Sequence, residues 1–228
     1  MWRELRDELH PAGFELVTIS LDSTGGRRSK RWIEAARPSH PSLIDAAHAV
    51  DGLLGIVNVP SGLWIDEAGS VVRPAETAHP GVAVFSQLAR PEGLTEYQAE
   101  TLEVSRGIRV QPRRYAAALR DWVANGAASK FVLTPHEVST KGGGRSREDA
   151  EAAAHFELGS HLLTTGRAEA SIPHFRAAHR LQPDNWTYRR QAWSLARTDQ
   201  GPTDVYDSDF LSEVRRVGAE NFYRPLDM

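Results

Sequence analysis

Residues 139–147 are rich in glycine and charge, and the sequence pattern differs on the two sides of this segment. Before it, short β-branched and apolar runs alternate with short helical patterns, whereas after it only helical periodicity is present. Strand, helices and hairpin in succession indicate an α/β layer, and consecutive amphipathic helices indicate an all-α unit. We therefore predict an α/β domain over residues 1–138, a flexible linker over 139–147 and a helical module with a C-terminal tail over 148–228.

Hydrophobic periodicity and turn residues predict the elements of the first domain. The first strand is mostly apolar, as is typical of a strand at the centre of a sheet, and the helix after it places Trp32 on its buried face. Gly69 supplies the positive φ that closes a hairpin, and from about residue 75 the pattern becomes an irregular helical extension. In chain order the predicted elements are a helix over 2–10, a strand over 14–21, helices over 30–36 and 46–54, a hairpin over 62–73, and helices over 82–88, 95–106 and 113–125.

The composition excludes several classes of function. The chain has 228 residues and no cysteine, which excludes a disulfide framework, a thiolate zinc site and a cysteine nucleophile. Its 27 Lys and Arg against 30 Asp and Glu give a net charge of −3. The composition therefore lacks the excess of positive charge that indicates nucleic-acid binding. No run of about 18 apolar residues is present and the N-terminal sequence is charged, so we expect a cytoplasmic protein that does not bind a membrane.

The histidines and glycines do not form a recognisable chemical motif. His155 and His161 are six positions apart and His174 and His179 five apart, so neither pair shares a helix face. The glycine-rich run Gly142–Ser146 lacks the Gly-Lys-Ser/Thr end of a phosphate-binding loop. We therefore expect no metal, no cofactor and no catalytic residue from these patterns.

The C-terminal part predicts three helices, over 148–164, 168–181 and 186–197. The stretch from 152 to 185 has small and aromatic residues at characteristic positions, which are Leu158, Gly159 and Leu162 in the first helix and Phe175, Ala178 and Pro183 in the second. It resembles a tetratricopeptide repeat, whose period is 34 residues. The small residues Gly159 and Ala178 allow the two helices to approach closely, and Phe175 fills the gap between them.

A single repeat is less than the roughly three that a free-standing array needs. We expect the third helix to cover this repeat, burying Trp193 and Leu195, and the tail over 207–228 to pack back. Tyr188, Arg189 and Arg190 are predicted to face a groove that binds a partner peptide, or else to form an exposed basic helix face. Docking on the first domain and dimerisation remain open for this module, since fold alone does not give function.

Four runs in the first 73 residues carry a second resemblance: Gly13–Asp22, His40–Asp45, Gly55–Ser61 and Trp64–Arg73. In this order and spacing they resemble thioredoxin-fold redoxins of the ResA/TlpA type. The resemblance implies a cis peptide at Val59–Pro60, with a trans proline opening an edge strand as the alternative. It also implies a vestigial cleft, and the residues predicted to line that cleft are Asn58, Val59, Pro60, Ser61 and Trp64.

This sequence lacks the half of the thioredoxin fold that carries the redox chemistry. In the family, a central strand and a Trp-Cys-x-x-Cys motif precede the helix in which this sequence begins, and thiol–disulfide exchange needs a thiolate. One explanation is that the natural chain is longer and contains either the cysteine motif or the Trp-Ala-x-Ser-x-x-Pro pattern. That pattern replaces the cysteine motif in one group of ResA-like proteins, which segments 181–188 and 223–228 resemble. Another is that the strands over 14–21 and 62–66 close on each other or accept a strand from residues 75–111 or a second chain. A third is a purely structural domain.

The sequence as a whole predicts an α/β thioredoxin-like domain, incomplete at its first central strand and Cys-x-x-Cys motif, followed by an all-α tetratricopeptide-like module. We predict a non-redox protein that acts by association with a protein partner or with a second copy of itself. The alternative is a redoxin-family oxidoreductase, or an enzyme derived from one, whose active-site strand is missing from this chain or is supplied by a partner.

Overall fold

The computed structural model describes residues 2–81 and 91–228, and over these residues the chain has a mixed α/β fold. The predicted helix over 82–88 lies outside the described residues. The helices are α1 (Trp2–Leu9), α2 (Lys30–Ala36), α3 (Ala49–Leu54), α4 (Glu96–Ser105), α5 (Pro112–Asn125), α6 (Pro135–Gly142), α7 (Arg147–Thr164), α8 (Ala168–Leu181), α9 (Trp186–Ala196) and α10 (Phe210–Val217). The strands are β1 (Thr18–Leu21), β2 (Ser42–Asp45), β3 (Ser61–Ile65) and β4 (Val71–Thr77).

The strands form two separate sheets of two strands each. Strands β1 and β2 are parallel, with Ile19 opposite Leu43, and β3 and β4 form an antiparallel hairpin. Gly69 in the hairpin turn has a φ of +81°, as expected for this position. Within the described residues β1 does not pair with β3, and the described parts of segment 75–111 beyond Thr77 contribute no further strand. Each sheet therefore keeps open edges in this part of the chain.

The apolar core of the α/β part lies under the hairpin rather than under β1 and β2. Trp64 of β3 is buried there with side chains of α1 and α5, including Leu5 and Leu119. The Trp64 indole N–H donates to the hydroxyl of Tyr115 at 3.2 Å, and its ring stacks on Trp122 with centroids 4.9 Å apart. Helices α1 and α5 thus hold the hairpin from one side.

The helical part is built on the pair α7 and α8, with α9, α10 and the C-terminal segment packed against it. Gly159 and Phe175 meet where α7 and α8 cross, and a Cβ at position 159 would lie 3.1 Å from the Phe175 ring. Trp186, Trp193 and Phe222 extend this core toward the C-terminus. The expected covering of α7 and α8 by a third helix is confirmed, with Trp193 buried and Leu195 partly buried, and so is the packing of the tail.

Three local expectations are wrong. Trp32 is 67% exposed, because within the described residues no layer covers α2. The first strand begins at Thr18 and not at Phe14, since its partner β2 is only four residues long. Leu158 is 43% exposed, because it lies beside the α7 face that carries Phe156 and Gly159 and not on it.

Helix α6 extends into the segment predicted to be a linker. Thr134 and Glu137 form a capping box that begins the helix, and the helix continues through Lys141 to Gly142. Gly143 follows with a φ of +71°, and Ser146 then caps α7. Only residues 143–146 lie between two helices, so the connection is shorter than predicted.

Candidate interaction surface

The parallel pair β1–β2 presents an uncovered apolar face. Ile19 and Leu43 are register partners, so their side chains lie side by side on one face of the pair. They are 39% and 52% exposed, and Val17, one residue before β1, is 52% exposed. Parallel strands normally lie in sheets whose two faces are both covered. We refer to Val17, Ile19 and Leu43 as the β1–β2 face.

Helices α2 and α3 also expose apolar side chains, and the exposed side of α2 is basic as well. Trp32 of α2 and Leu53 of α3 are both largely exposed. The guanidinium of Arg31 lies 4.9 Å from the centroid of the Trp32 ring. Between residues 27 and 37 the positive side chains are Arg27, Arg28, Lys30, Arg31 and Arg37, against the single negative side chain of Glu34. A partner with acidic groups near an apolar segment would match this surface.

Asp22 fixes the loop that joins β1 to α2. Its carboxylate accepts hydrogen bonds from the backbone N–H groups of Thr24 at 3.0 Å, Arg28 at 3.2 Å and Ser29 at 2.9 Å. Burial raises the pKa of Asp22, but the hydrogen bonds from Thr24 and Ser29 outweigh it and hold the pKa at about 2. The loop beside the β1–β2 face is therefore a fixed turn.

The loop before β3 has the cis peptide at Val59–Pro60 that the resemblance implies. The polar groups of this loop bind the C-terminal half of the chain. The carbonyl of Val57 accepts from the backbone N–H of Trp186 at 2.6 Å, and the side-chain amide of Asn58 donates to the carbonyl of Phe222 at 3.0 Å. The hydroxyl of Tyr223 donates to the carbonyl of Val59 at 3.0 Å.

The structure separates the five residues predicted to line a vestigial cleft. Asn58, Val59, Pro60 and Ser61 lie together in the loop and at the start of β3, where the Ser61 hydroxyl donates to the Asn58 carbonyl at 2.6 Å. Trp64 instead lies in the core under the hairpin. The loop is thus a contact between the two halves of the chain, and the cleft assignment stays a prediction.

Of the six residues predicted to pack the repeat, the structure buries four and exposes two. Gly159, Leu162, Phe175 and Ala178 are buried between the helices, whereas Leu158 and Pro183 are exposed. The position of Pro183 just after α8 is consistent with its role in ending that helix.

The predicted groove residues contact other parts of this chain. Tyr188 stacks on Phe156 with centroids 4.3 Å apart, and burial raises its pKa to about 12. Arg189 forms a 3.0 Å ion pair with Glu213 of α10. The Arg190 guanidinium lies 5.5 Å from the centroid of the Phe210 ring. These side chains therefore bind α7 and α10, and their role in a partner groove stays a prediction.

Sequence reasoning missed two histidine contacts. His155 on α7 and His174 on α8 approach each other, with 2.9 Å between their Nδ1 atoms, so one ring donates and the other accepts. Both lie in the predicted repeat, but spacing within one helix cannot reveal a contact between two helices.

The second missed contact joins His48 and Asp51, both of which are buried. The distance from His48 Nδ1 to Asp51 Oδ2 is 2.9 Å. The imidazole also packs edge-to-face against Phe156 of α7, with ring centroids 4.7 Å apart. The His-x-x-Asp spacing was the available signal, because it places both side chains near one turn of a helix. The pair ties α3 to the helical part.

No metal or membrane element is evident in the part of the chain that the structure describes. Over residues 2–81 and 91–228, no three side chains of histidine, aspartate or glutamate form a metal-binding group. In the same residues no helix has both the length and the apolar character needed to cross a bilayer. A scan against protein-family models, a search of curated proteins and a search of solved structures each gave no match to this chain.

Proposed function

We propose that this chain acts by protein association, as a cysteine-free thioredoxin-like unit joined to a tetratricopeptide-like helical unit. The observation that carries the proposal is the uncovered β1–β2 face, formed by Val17, Ile19 and Leu43. Exposed apolar faces of this kind mark interaction sites, because covering them with a partner removes apolar surface from water.

The partner we propose is a protein that adds an extended segment beside β1. Within the described residues β1 is paired only with β2, so its other edge presents unpaired N–H and C=O groups. An added strand would satisfy these groups, and its apolar side chains would cover Ile19. Acidic residues flanking the segment would complement the basic stretch from Arg27 to Arg37.

The alternative, a redoxin-derived enzyme, has less support. Such an enzyme would present the loop before β3 to its substrate. The Val59 carbonyl and the Asn58 amide of this loop instead bind Tyr223 and Phe222, so these polar groups are already used within the chain. The sequence also contains no cysteine that could act as a nucleophile.

Site-specific photo-crosslinking in the native host tests the proposal. A photoreactive residue replaces Leu43, and a control chain carries it in place of the exposed residue Glu148. We expect Leu43 to crosslink reproducibly to one protein through an extended segment with acidic flanks. We expect Ile19→Lys to abolish that crosslink without changing the far-ultraviolet circular dichroism, since Ile19 is exposed.

Two outcomes would overturn the proposal. Equal crosslinking from the two positions would mean that the β1–β2 face has no special affinity. Crosslinking of Leu43 only to a second copy of the chain would replace a heterologous partner with self-association.

A further inference from the structure

A small cavity lies where the end of β4, the start of α5 and the C-terminal segment meet. Its volume is about 240 Å³. The polar and charged residues that line it include Thr77, His79, Arg109, Gln111, Glu220 and Arg224. This cavity is remote in sequence from the β1–β2 face, and nothing in the proposed association uses it.

His79 is the unusual member of this lining. Its side chain is buried, with 8% of the residue exposed, and within the described residues neither ring nitrogen has a hydrogen-bond partner. One face of the ring packs against Tyr223, with centroids 5.5 Å apart. Burial lowers the pKa of His79, so the neutral ring offers one N–H donor and one acceptor nitrogen. A buried histidine in the wall of a cavity with both nitrogens unused indicates that a ligand group can complete its hydrogen bonds.

The remaining charges around the cavity favour an anion. Arg109 and Arg224 are exposed, and among the described residues neither guanidinium has an ion pair or side-chain hydrogen bond. Glu220 is the negative side chain of the lining and also has no ion pair there. Two guanidinium groups against one carboxylate leave a net positive charge, and arginine matches the oxygens of a phosphate in a fork geometry.

The N-terminus of helix α5 adds a partial positive charge. Gln111 precedes the helix and lines the cavity, but its side chain does not cap the helix. The first position is Pro112, which has no N–H group, so the next two N–H groups have no capping side chain. A helix of 14 residues with a free N-terminus attracts anionic oxygens.

We propose that this cavity binds a small phosphomonoester that also carries a hydroxyl or amino group. Arg109, Arg224 and the start of α5 hold the phosphate, and the His79 ring donates to one of its oxygens. Glu220 accepts a hydrogen bond from the hydroxyl or amino group of the ligand. The volume suits a ligand of this size and not a peptide. The bound molecule would bridge β4, α5 and the C-terminal segment.

Titration calorimetry with the full chain tests the proposal, with glycerol phosphate and inorganic phosphate as the two probes. We expect saturable binding of glycerol phosphate, weakened about tenfold or more by Arg109→Ala and by Arg224→Ala. The matched control is Arg147→Ala, which removes an exposed arginine at the start of α7 that does not line the cavity and should change the affinity less than about twofold. Both arginines of the site are exposed, so their removal should leave the fold intact.

His79→Phe supplies a second, independent readout. This variant keeps an aromatic ring against Tyr223 and removes both nitrogens. We expect it to weaken glycerol phosphate binding, and we expect the ring ¹⁵N signals of His79 in the unaltered chain to shift on addition of the probe. Inorganic phosphate bound as tightly as glycerol phosphate would assign the site to free phosphate instead of the ester. No saturable binding of either probe, or equal loss in Arg109→Ala and Arg147→Ala, would overturn the proposal.

Discussion

At the scale of single residues, Gly159 sets how closely α7 and α8 approach. An added Cβ would lie 3.1 Å from the Phe175 ring, which is buried and packed edge-on against Phe156. The overpacking cost of about 1–3 kcal/mol exceeds the gain of up to about 1 kcal/mol from replacing a helical glycine by alanine. We expect Gly159→Ala to lower the free energy of unfolding by about 1 kcal/mol, measured by urea denaturation.

Gly52 provides the matched control for this substitution. It also lies inside a helix, but a Cβ at this position would meet no atom within 4 Å. We expect Gly52→Ala to raise the free energy of unfolding by about 0.5–1 kcal/mol. An increase in stability for Gly159→Ala as well would show that Phe175 yields to the added methyl group.

His179 links the stability of the helical core to pH. Burial, followed by the nearby charge of Arg189, lowers its pKa from 6.5 to about 4. The folded chain therefore keeps this ring neutral, while the unfolded chain binds a proton below pH 6.5, so the free energy of unfolding falls as the pH drops from 6.5 toward 4. The pH-dependent loss is on the order of 3 kcal/mol for a shift of this size.

We expect His179→Phe to flatten the dependence of the urea midpoint on pH between 6.5 and 4. Phenylalanine preserves a ring beside Trp193 and Tyr206 and has no proton to bind. His136→Gln is the control, because His136 is exposed on α6 and its replacement should leave the slope unchanged. The same slope in His179→Phe and in the unaltered chain would exclude His179 as the titrating group.

At the scale of elements, Asp209 joins two helices that are distant in sequence. Its carboxylate caps α10 by accepting from the backbone N–H of Leu211 at 2.9 Å and of Ser212 at 3.2 Å. It also accepts from the hydroxyl of Tyr97 on α4 at 3.0 Å. We expect Asp209→Ala to lower the free energy of unfolding by about 1–2 kcal/mol, most of it from the lost cap and the rest from the lost bond to Tyr97. The Tyr97 hydroxyl keeps the Gln200 carbonyl, at 3.0 Å, as its other acceptor.

Two variants separate these contributions in urea denaturation. Asp209→Asn keeps an acceptor oxygen for the cap and should retain most of the stability. Thr134→Ala removes the exposed cap of α6, which has no second helix attached to it, and should cost about 1 kcal/mol or less. If Asp209→Ala costs no more than Thr134→Ala, the bond to Tyr97 contributes nothing measurable.

Elements whose ends are encoded locally could be predicted from the sequence. Helix α5 was predicted over 113–125 and lies over Pro112–Asn125, because a proline and Gly126 mark its two ends. The strand predicted over 14–21 is half that length, since its pairing depends on β2, which lies beyond an intervening helix. The predicted burial of Trp32 is wrong for a related reason. Periodicity identifies the apolar side of a helix, but it does not show whether another layer covers that side.

The candidate surface was predictable only in part. The resemblance implied the cis peptide before Pro60, but no local pattern could indicate that Tyr223 binds the Val59 carbonyl across more than 160 positions of sequence. The contact of His155 with His174 likewise depends on how two helices pack. Long-range contacts of this kind follow from the whole fold, and local propensity carries no information about them.

At the scale of the whole molecule, the C-terminal segment holds the two halves together. Phe222 and Tyr223 bind the loop before β3, while Phe222 also packs against Trp186 of the helical core. Farther along, the buried side chain of Arg73 on β4 donates to the carbonyl of Asp227. The hairpin is therefore tied to the helical part, whereas the β1–β2 pair lies apart from both hydrophobic cores.

This arrangement distributes stability unevenly, and hydrogen exchange should reveal the difference. Helix α2 has no buried residue and Leu43 of β2 is exposed, whereas α8 buries Phe175 and Ala178. Amide protection depends on the free energy of local opening, which is low where few apolar side chains are buried. We expect the amides of α2 and β2 to exchange with opening free energies at least about 2 kcal/mol below those of α8.

The Ile19→Lys variant should leave protection in α8 unchanged, because Ile19 contributes to neither core. Equal protection of β2 and α8 would mean that the β1–β2 pair is already stabilised without a partner, which would remove the physical reason for an added strand.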